Sequence, residues 1–139
     1  MSNFEAFMIE NTTEEIEYVV SNRFKDKAGK VIPFKLKCIN SKENNDIRKD
    51  CYTKVAIPGK RGQYTKEFDV AKYTTNLILA CVVCPNLNDK DLQDYYKVMG
   101  AEAVLGKMLK PSEYDDLAAK VQEINGYNSL EEDIEEAKN

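Results

Sequence analysis

The 139-residue sequence contains no histidine. That absence removes the commonest general base, the commonest metal ligand, and every Ser-His or Cys-His pairing that activates a nucleophile. Long apolar runs are missing as well, since no stretch approaches the roughly 18 consecutive apolar residues that a membrane span needs. The opening MSNFEAFMIE is acidic and amphipathic, unlike a secretory signal. These features are those of a chain of the cytoplasm with no membrane partner. Cysteine is sparse, and the four present are expected to be reduced thiols rather than a disulfide framework.

Few residues remain that could carry chemistry. Cys81-Val-Val-Cys84 has the spacing of a redox or zinc pair, but it lies in an apolar stretch with a helical pattern and no flanking charge to lower a thiol pKa. Free cysteine in such a place packs as a small hydrophobe. Adding Cys38 and Cys51 gives no recognisable zinc spacing. The acidic groups Asp89/Asp91/Asp94 and Asp115/Asp116 fall in first helical turns, where they complement the helix dipole. Gly59 and Gly62 flank Lys60-Arg61 without the order of a phosphate-binding loop. No catalytic residue, cofactor site or metal site is therefore assigned, and the chain is expected not to be an enzyme.

What is present is material for a modest core: 42% hydrophobic residues, with eight tyrosines and five phenylalanines, suit one domain over residues 1–127. Ser2 and Glu5 have capping-box spacing, and Phe4, Phe7 and Met8 then share one face of a short helix ending by Asn11. Ile16, Tyr18 and Val20 alternate with Glu15, Glu17 and Val19, and Ile32, Phe34, Leu36 and Cys38 alternate with Pro33, Lys35 and Lys37. Period two means strands. With turn chemistry at Asp26-Lys27-Ala28-Gly29, residues 15–38 form an antiparallel hairpin, apolar on one face and basic on the other, and Pro33 suits an edge strand.

A thin apolar stripe of Ile47 and Cys51 behind an Asn40/Glu43 cap marks a mostly exposed helix over about 40–54. Val55 to Glu67, with Pro58-Gly59 and Lys60-Arg61-Gly62, has little periodicity and reads as a long loop or mobile arm. Over 69–84 apolar residues cover most of the surface of a central buried helix stopped by Pro85. Stripes of Leu92, Tyr95, Tyr96, Met99, then Ala101, Val104, Leu105, Met108, then Tyr114, Leu117, Ala118, Val121, Ile124 give helices at 89–99, 101–110 and 111–125. Asn125-Gly126 closes the last. Residues 128–139 form an acidic tail, a short frayed helix at most. The expected fold is α+β, an N-terminal antiparallel β-hairpin packed on a mainly helical bundle.

Charge is distributed unevenly. Residues 1–19 hold five acids and no base, residues 20–72 hold 14 bases against 6 acids, and residues 73–139 hold 6 bases against 13 acids. A protein partner, or a second copy offering its acidic end to the basic middle, fits this better than nucleic acid does, because the pI is about 5.0 and no recognition motif is present. The tyrosines lie on helical stripes, which favours packing over base stacking.

Three runs carry a family resemblance: NRFKDKAGKVIPFKLKCI, KEFDVAKYTTNLILACVVCPNL, and LQDYYKVMGAEAVLGKMLKPSEYDDLAAKVQEINGY. Together they resemble the XkdN-like phage tail assembly chaperones of Gram-positive phages and defective prophages, over about residues 18–127. The resemblance implies a non-enzymatic protein that binds the long helical tape measure protein in the host cytoplasm, keeps it soluble until tail tube protein polymerises around it, and is absent from the finished particle. Many copies per client follow, hence a homo-oligomer, head-to-tail if the basic middle of one copy meets the acidic end of the next. Related genes use a ribosomal frameshift near the 3′ end, and Ala137-Lys138-Asn139 can be encoded GCA-AAA-AAY, a slippery run, so a longer form of the chain is a further expected partner. A structural tail component retained in the particle is the alternative. A nucleic-acid-binding regulator using Arg23, Lys25, Lys27, Lys30, Lys35, Lys37, Lys60 and Arg61 is a third reading. For partner binding the candidates are apolar or aromatic positions that no stripe explains, Phe4, Phe7, Tyr64 and Phe68, with Lys60 and Arg61 in the arm.

Overall fold

A computed structural model describes residues 3–9 and 14–127. The Ser2 cap, the acidic tail and the slippery codons expected from the sequence lie outside those residues. Among the described residues the chain is α+β, with β1 (Ile16–Tyr18), β2 (Phe34–Leu36), α1 (Ser41–Lys49), β3 (Tyr52–Ala56), β4 (Tyr64–Phe68), α2 (Val70–Cys81), β5 (Val82–Cys84), α3 (Lys90–Tyr96), α4 (Ala101–Met108) and α5 (Pro111–Ile124). Asn3–Phe7 is a 3₁₀ turn.

The N-terminal hairpin forms as the alternation requires. Phe34 and Leu36 are buried while Lys35 between them is exposed, and Ile16, Glu17 and Tyr18 pair antiparallel with Leu36, Lys35 and Phe34. The turn is held by Asp26, whose carboxylate accepts from the backbone N–H groups of Ala28 and Lys30 at 2.9 and 3.0 Å. Its paired strands are shorter than the 15–38 span, because beyond Tyr18 the chain bends and meets itself again only at a bridge between Lys25 and Val31.

Two expectations about this sheet are corrected. The apolar segment 69–84 is not one helix: α2 stops at Cys81, and Val82–Cys84 leave as a strand that pairs with β2. Val82 takes extended dihedrals, φ −79° and ψ 112°, which suit a β-branched pair, and Lys37 N–H donates to the Cys81 carbonyl at 2.9 Å. The sheet order is β1-β2-β5, so β2 is central rather than an edge; Pro33 is tolerated because it precedes the first paired residue.

One buried cluster joins the layers. Phe34 and Leu36 of β2 meet Leu77, Ile78 and Cys81 of α2, Val104, Leu105 and Met108 of α4, and Leu117 and Val121 of α5. The helical stripes of α4 and α5 are thus buried as their spacing requires. Thr75 of α2 and Tyr114 of α5 share a hydroxyl hydrogen bond of 2.7 Å at the rim. The expected box caps α1: Glu43 N–H donates to Asn40 Oδ1 at 2.9 Å while the Glu43 carboxylate accepts from Asn40 N–H. That helix ends at Lys49 rather than 54, as the chain enters β3.

The α3 stripe is only partly realised. Lys97 adopts a left-handed conformation, φ 57°, which ends the helix at Tyr96 instead of 99. Leu92 and Tyr96 stay against the core, whereas Tyr95 and Met99 point to solvent, 76% and 91% exposed.

Residues 55–67 overturn the loop expectation. Tyr52 to Ala56 pair antiparallel with Phe68 to Tyr64 over five residue pairs. Two consecutive turns make the tip, with Lys60 N–H donating to the Ile57 carbonyl at 3.1 Å and Gln63 N–H to the Lys60 carbonyl at 3.2 Å. Gly59 and Gly62 supply the positive φ, 78° and 79°, that the third position of a type II turn needs. Only Val55, Ile57 and Phe68 in residues 52–68 are even half-buried. With neither face covered, no apolar alternation is written into the sequence.

Candidate partner-binding surface

The β3–β4 hairpin stands out from the body on an aromatic base. The Tyr52 and Phe68 rings lie 5.3 Å apart, Phe68 and Tyr73 of α2 5.5 Å apart, and the Arg48 guanidinium from the last turn of α1 sits 5.2 Å over Phe68 and 5.7 Å over Tyr73. The Tyr73 hydroxyl donates to Asn44 Oδ1. Burial, and then the neighbouring Tyr127, push the Tyr73 phenol up to about 12, so it remains a neutral donor. Cys51 finishes the root: it is buried, and its carbonyl accepts from Asp69 N–H at 2.6 Å. An isolated two-stranded hairpin is marginal in water. This base is what anchors it.

The six residues singled out by sequence separate into three places. Lys60 and Arg61 occupy the hairpin tip and Tyr64, 62% exposed, adjoins it at the start of β4. Phe68 lies at the opposite end, half-buried in the aromatic base, where it holds the hairpin rather than presenting itself. Phe4 and Phe7 sit on the N-terminal 3₁₀ turn with Met8 and Ile9 beside them, all four at least 70% exposed.

Sequence reasoning missed Lys54 and Lys66, which the strand register sets directly opposite one another between the Tyr52/Phe68 and Ala56/Tyr64 pairs. The alternation Tyr64-x-Lys66-x-Phe68 was the available signal. It also missed Tyr95 and Met99, because a stripe that should end in the core was interrupted by Lys97. Between α4 and α5 lies an open groove of about 310 Å³ lined by Leu105, Gly106, Leu109, Pro111, Tyr114 and Asp115. Its lining is mostly apolar.

Cys81 is the last residue of α2 and Cys84 ends β5, so the pair is not the helical motif its spacing suggests. Burial pushes the Cys81 thiol up, away from reactivity. Among the described residues no group of His, Cys, Asp or Glu side chains is arranged to hold a metal ion, and no helix is long and apolar enough to cross a membrane.

What this surface belongs to is decided by similarity. The model of the family "Phage XkdN-like tail assembly chaperone protein" matches residues 4–138. The chain belongs to that family. It is similar to the Bacillus subtilis strain 168 "Phage-like element PBSX protein XkdN", 35% identical over 128 residues that cover 91% of this chain and 85% of the relative. It is also 34% identical over 125 residues to the uncharacterized protein YqbN of the same organism, covering 89% of this chain and 83% of that one. A crystal structure of a protein yqbn superposes with a TM-score of 0.73 at 26% identity, covering 92% of this chain and 98% of that chain. That likeness extends over most of the hairpin-on-helices arrangement described above.

Proposed function

We propose that this XkdN-like chain is a non-enzymatic chaperone that binds the tape measure protein in the host cytoplasm and keeps it soluble until tail tube protein assembles around it. The observation that carries the reading is the amount of solvent-exposed apolar surface on a member of a tail assembly chaperone family: Phe4, Phe7, Met8, Ile9, Tyr95 and Met99 are all at least 70% exposed. Exposed apolar positions of this kind, with the α4–α5 groove, suit a long client made of amphipathic helices. Lys60, Arg61 and Tyr64 add a polar and aromatic contact at the hairpin tip.

A client much longer than the chaperone takes several copies, arranged head-to-tail through basic and acidic surfaces, and these leave before the particle is complete. Co-expression with a tape measure protein tests the reading. The chaperone role requires the client to become soluble only in the presence of this chain and to copurify with it. A client that stays insoluble, together with recovery of the chain in purified particles, would instead make it a structural tail component.

A further inference from the structure

The β3–β4 hairpin carries an arrangement that a free-standing hairpin should avoid. Lys54 and Lys66 are directly cross-strand partners on one face, and like charges in that position repel. Lys60 and Arg61 at the tip add two more cations, and the sole acid in residues 52–68, Glu67, faces the other way, paired with Thr53. Neither Lys54 nor Lys66 joins an ion pair among the described residues. The face is bordered by aromatic groups, Tyr52 and Phe68 below the lysines and Tyr64 above. An acidic segment with a few apolar side chains would complement both features.

The chain itself supplies such a segment, and it starts in the right place. Residues 128–139 read NSLEEDIEEAKN, with five acids against one lysine, Leu130 just before the acids and Ile134 among them. Tyr127, which immediately precedes them, lines a cleft together with Asn44, and its phenol is close enough to Tyr73 to raise that residue's pKa. The Tyr73 ring packs at a tilt against Phe68, and Phe68 lies on the same hairpin face as Lys54 and Lys66. The tail thus leaves the body at the foot of the basic face. From the Tyr52/Phe68 pair to the Ala56/Tyr64 pair is about 14 Å along the strands. The nine residues from 128 to 136 reach about 30 Å when extended, enough to run past both lysines to the tip.

We propose that the Lys54/Lys66 face of the β3–β4 hairpin is a docking face for acidic chain, and that in the isolated protein its occupant is the chain's own segment 128–139. The hairpin is then masked until a competing acidic surface, such as that of a neighbouring copy, displaces the tail. This inference rests on register and charge and does not depend on the chaperone reading.

A zero-length carbodiimide crosslink, which joins a carboxylate only to an amine in contact with it, tests the proposal on the full-length protein. Heavy-isotope-labelled and unlabelled copies are mixed before crosslinking so that links within a chain and between chains are told apart. The expected result is same-label links from Glu131–Glu136 to Lys54 and Lys66, several-fold more abundant than links to the lysines of the N-terminal hairpin and strongly reduced in high salt. A companion variant neutralising Glu131, Glu132, Asp133, Glu135 and Glu136 should speed amide exchange in residues 52–68 while leaving the core helices unchanged. Links of mixed label would overturn the intrachain occupant. Tail links spread evenly over all lysines, or hairpin exchange indifferent to the tail charges, would overturn the docking face.

Discussion

Arg23 and Glu113 are 90 residues apart in the chain and joined by two side-chain hydrogen bonds, Nε to Oε2 at 3.2 Å and a second from the terminal nitrogen to Oε1. The same guanidinium donates to the Met108 carbonyl at 3.2 Å, and the carboxylate also accepts Lys110 N–H at 2.8 Å, closing the first turn of α5. One carboxylate thereby ties the N-terminal hairpin to the junction of α4 and α5. Charge-assisted, two-pronged contacts of this type hold orientation as well as energy.

The pH dependence of stability should report this clamp. The hydrogen bonds from Arg23 hold the Glu113 carboxyl down at about 2, below its ordinary 4.5. The folded state therefore binds fewer protons than the unfolded one over that interval, and the contribution is complete above 4.5 and lost as pH falls through about 2. Urea midpoints measured across this range should separate wild type from Glu113→Gln at neutral pH and converge at the acid end. A constant gap at all pH values would mean the carboxylate contributes through shape alone.

Asn125 makes a second clasp. Its Oδ1 accepts from Ile39 N–H at 2.9 Å, and its Nδ2 donates to the Val121 carbonyl at 2.8 Å and to Cys81 Sγ at 3.4 Å. Asn125→Ala orphans a half-buried backbone donor and should cost roughly 1–3 kcal/mol in urea unfolding. Asn125→Asp keeps the acceptor for Ile39 and should cost less.

Thiol reactivity follows burial. Cys51 and Cys81 are fully buried, and burial raises the Cys81 thiol so that little thiolate forms. Timed alkylation with mass spectrometry should modify Cys84 of β5 under native conditions. Cys51 and Cys81 should react only once denaturant unfolds the chain.

Much of the architecture was legible because it obeys local rules. The Asn40/Glu43 box, the alternation of Phe34, Lys35 and Leu36, and the stripes through Val104, Leu105, Leu117 and Val121 each have one period and one buried face. Val82-Val83 were not legible, since an apolar run buried on several sides satisfies helix and strand alike, and only pairing with Leu36 decides. The second hairpin was hidden for the opposite reason: with no buried face it has no hydrophobic alternation. Of the candidate surface, the grouping of Lys60, Arg61 and Tyr64 follows from proximity in sequence. The Lys54–Lys66 pairing requires a register that the turn at Gly59 and Gly62 sets.

Surface and core substitutions should separate stability from client binding. Phe7→Ala with Met8→Ala removes exposed apolar side chains and should leave unfolding within about 0.5 kcal/mol of wild type while weakening client capture. Leu117→Ala empties a fully buried position and should cost roughly 2–5 kcal/mol. Calorimetry and pull-down on the same preparations read both.

The most direct measurement is the native mass of whatever this chain carries when purified from cells also making the tape measure protein. A chaperone of the kind proposed gives one client chain with several copies of this protein, a ratio that falls when Phe7 and Met8 are replaced. A client-free species of this chain alone, beside insoluble tape measure protein, would contradict it.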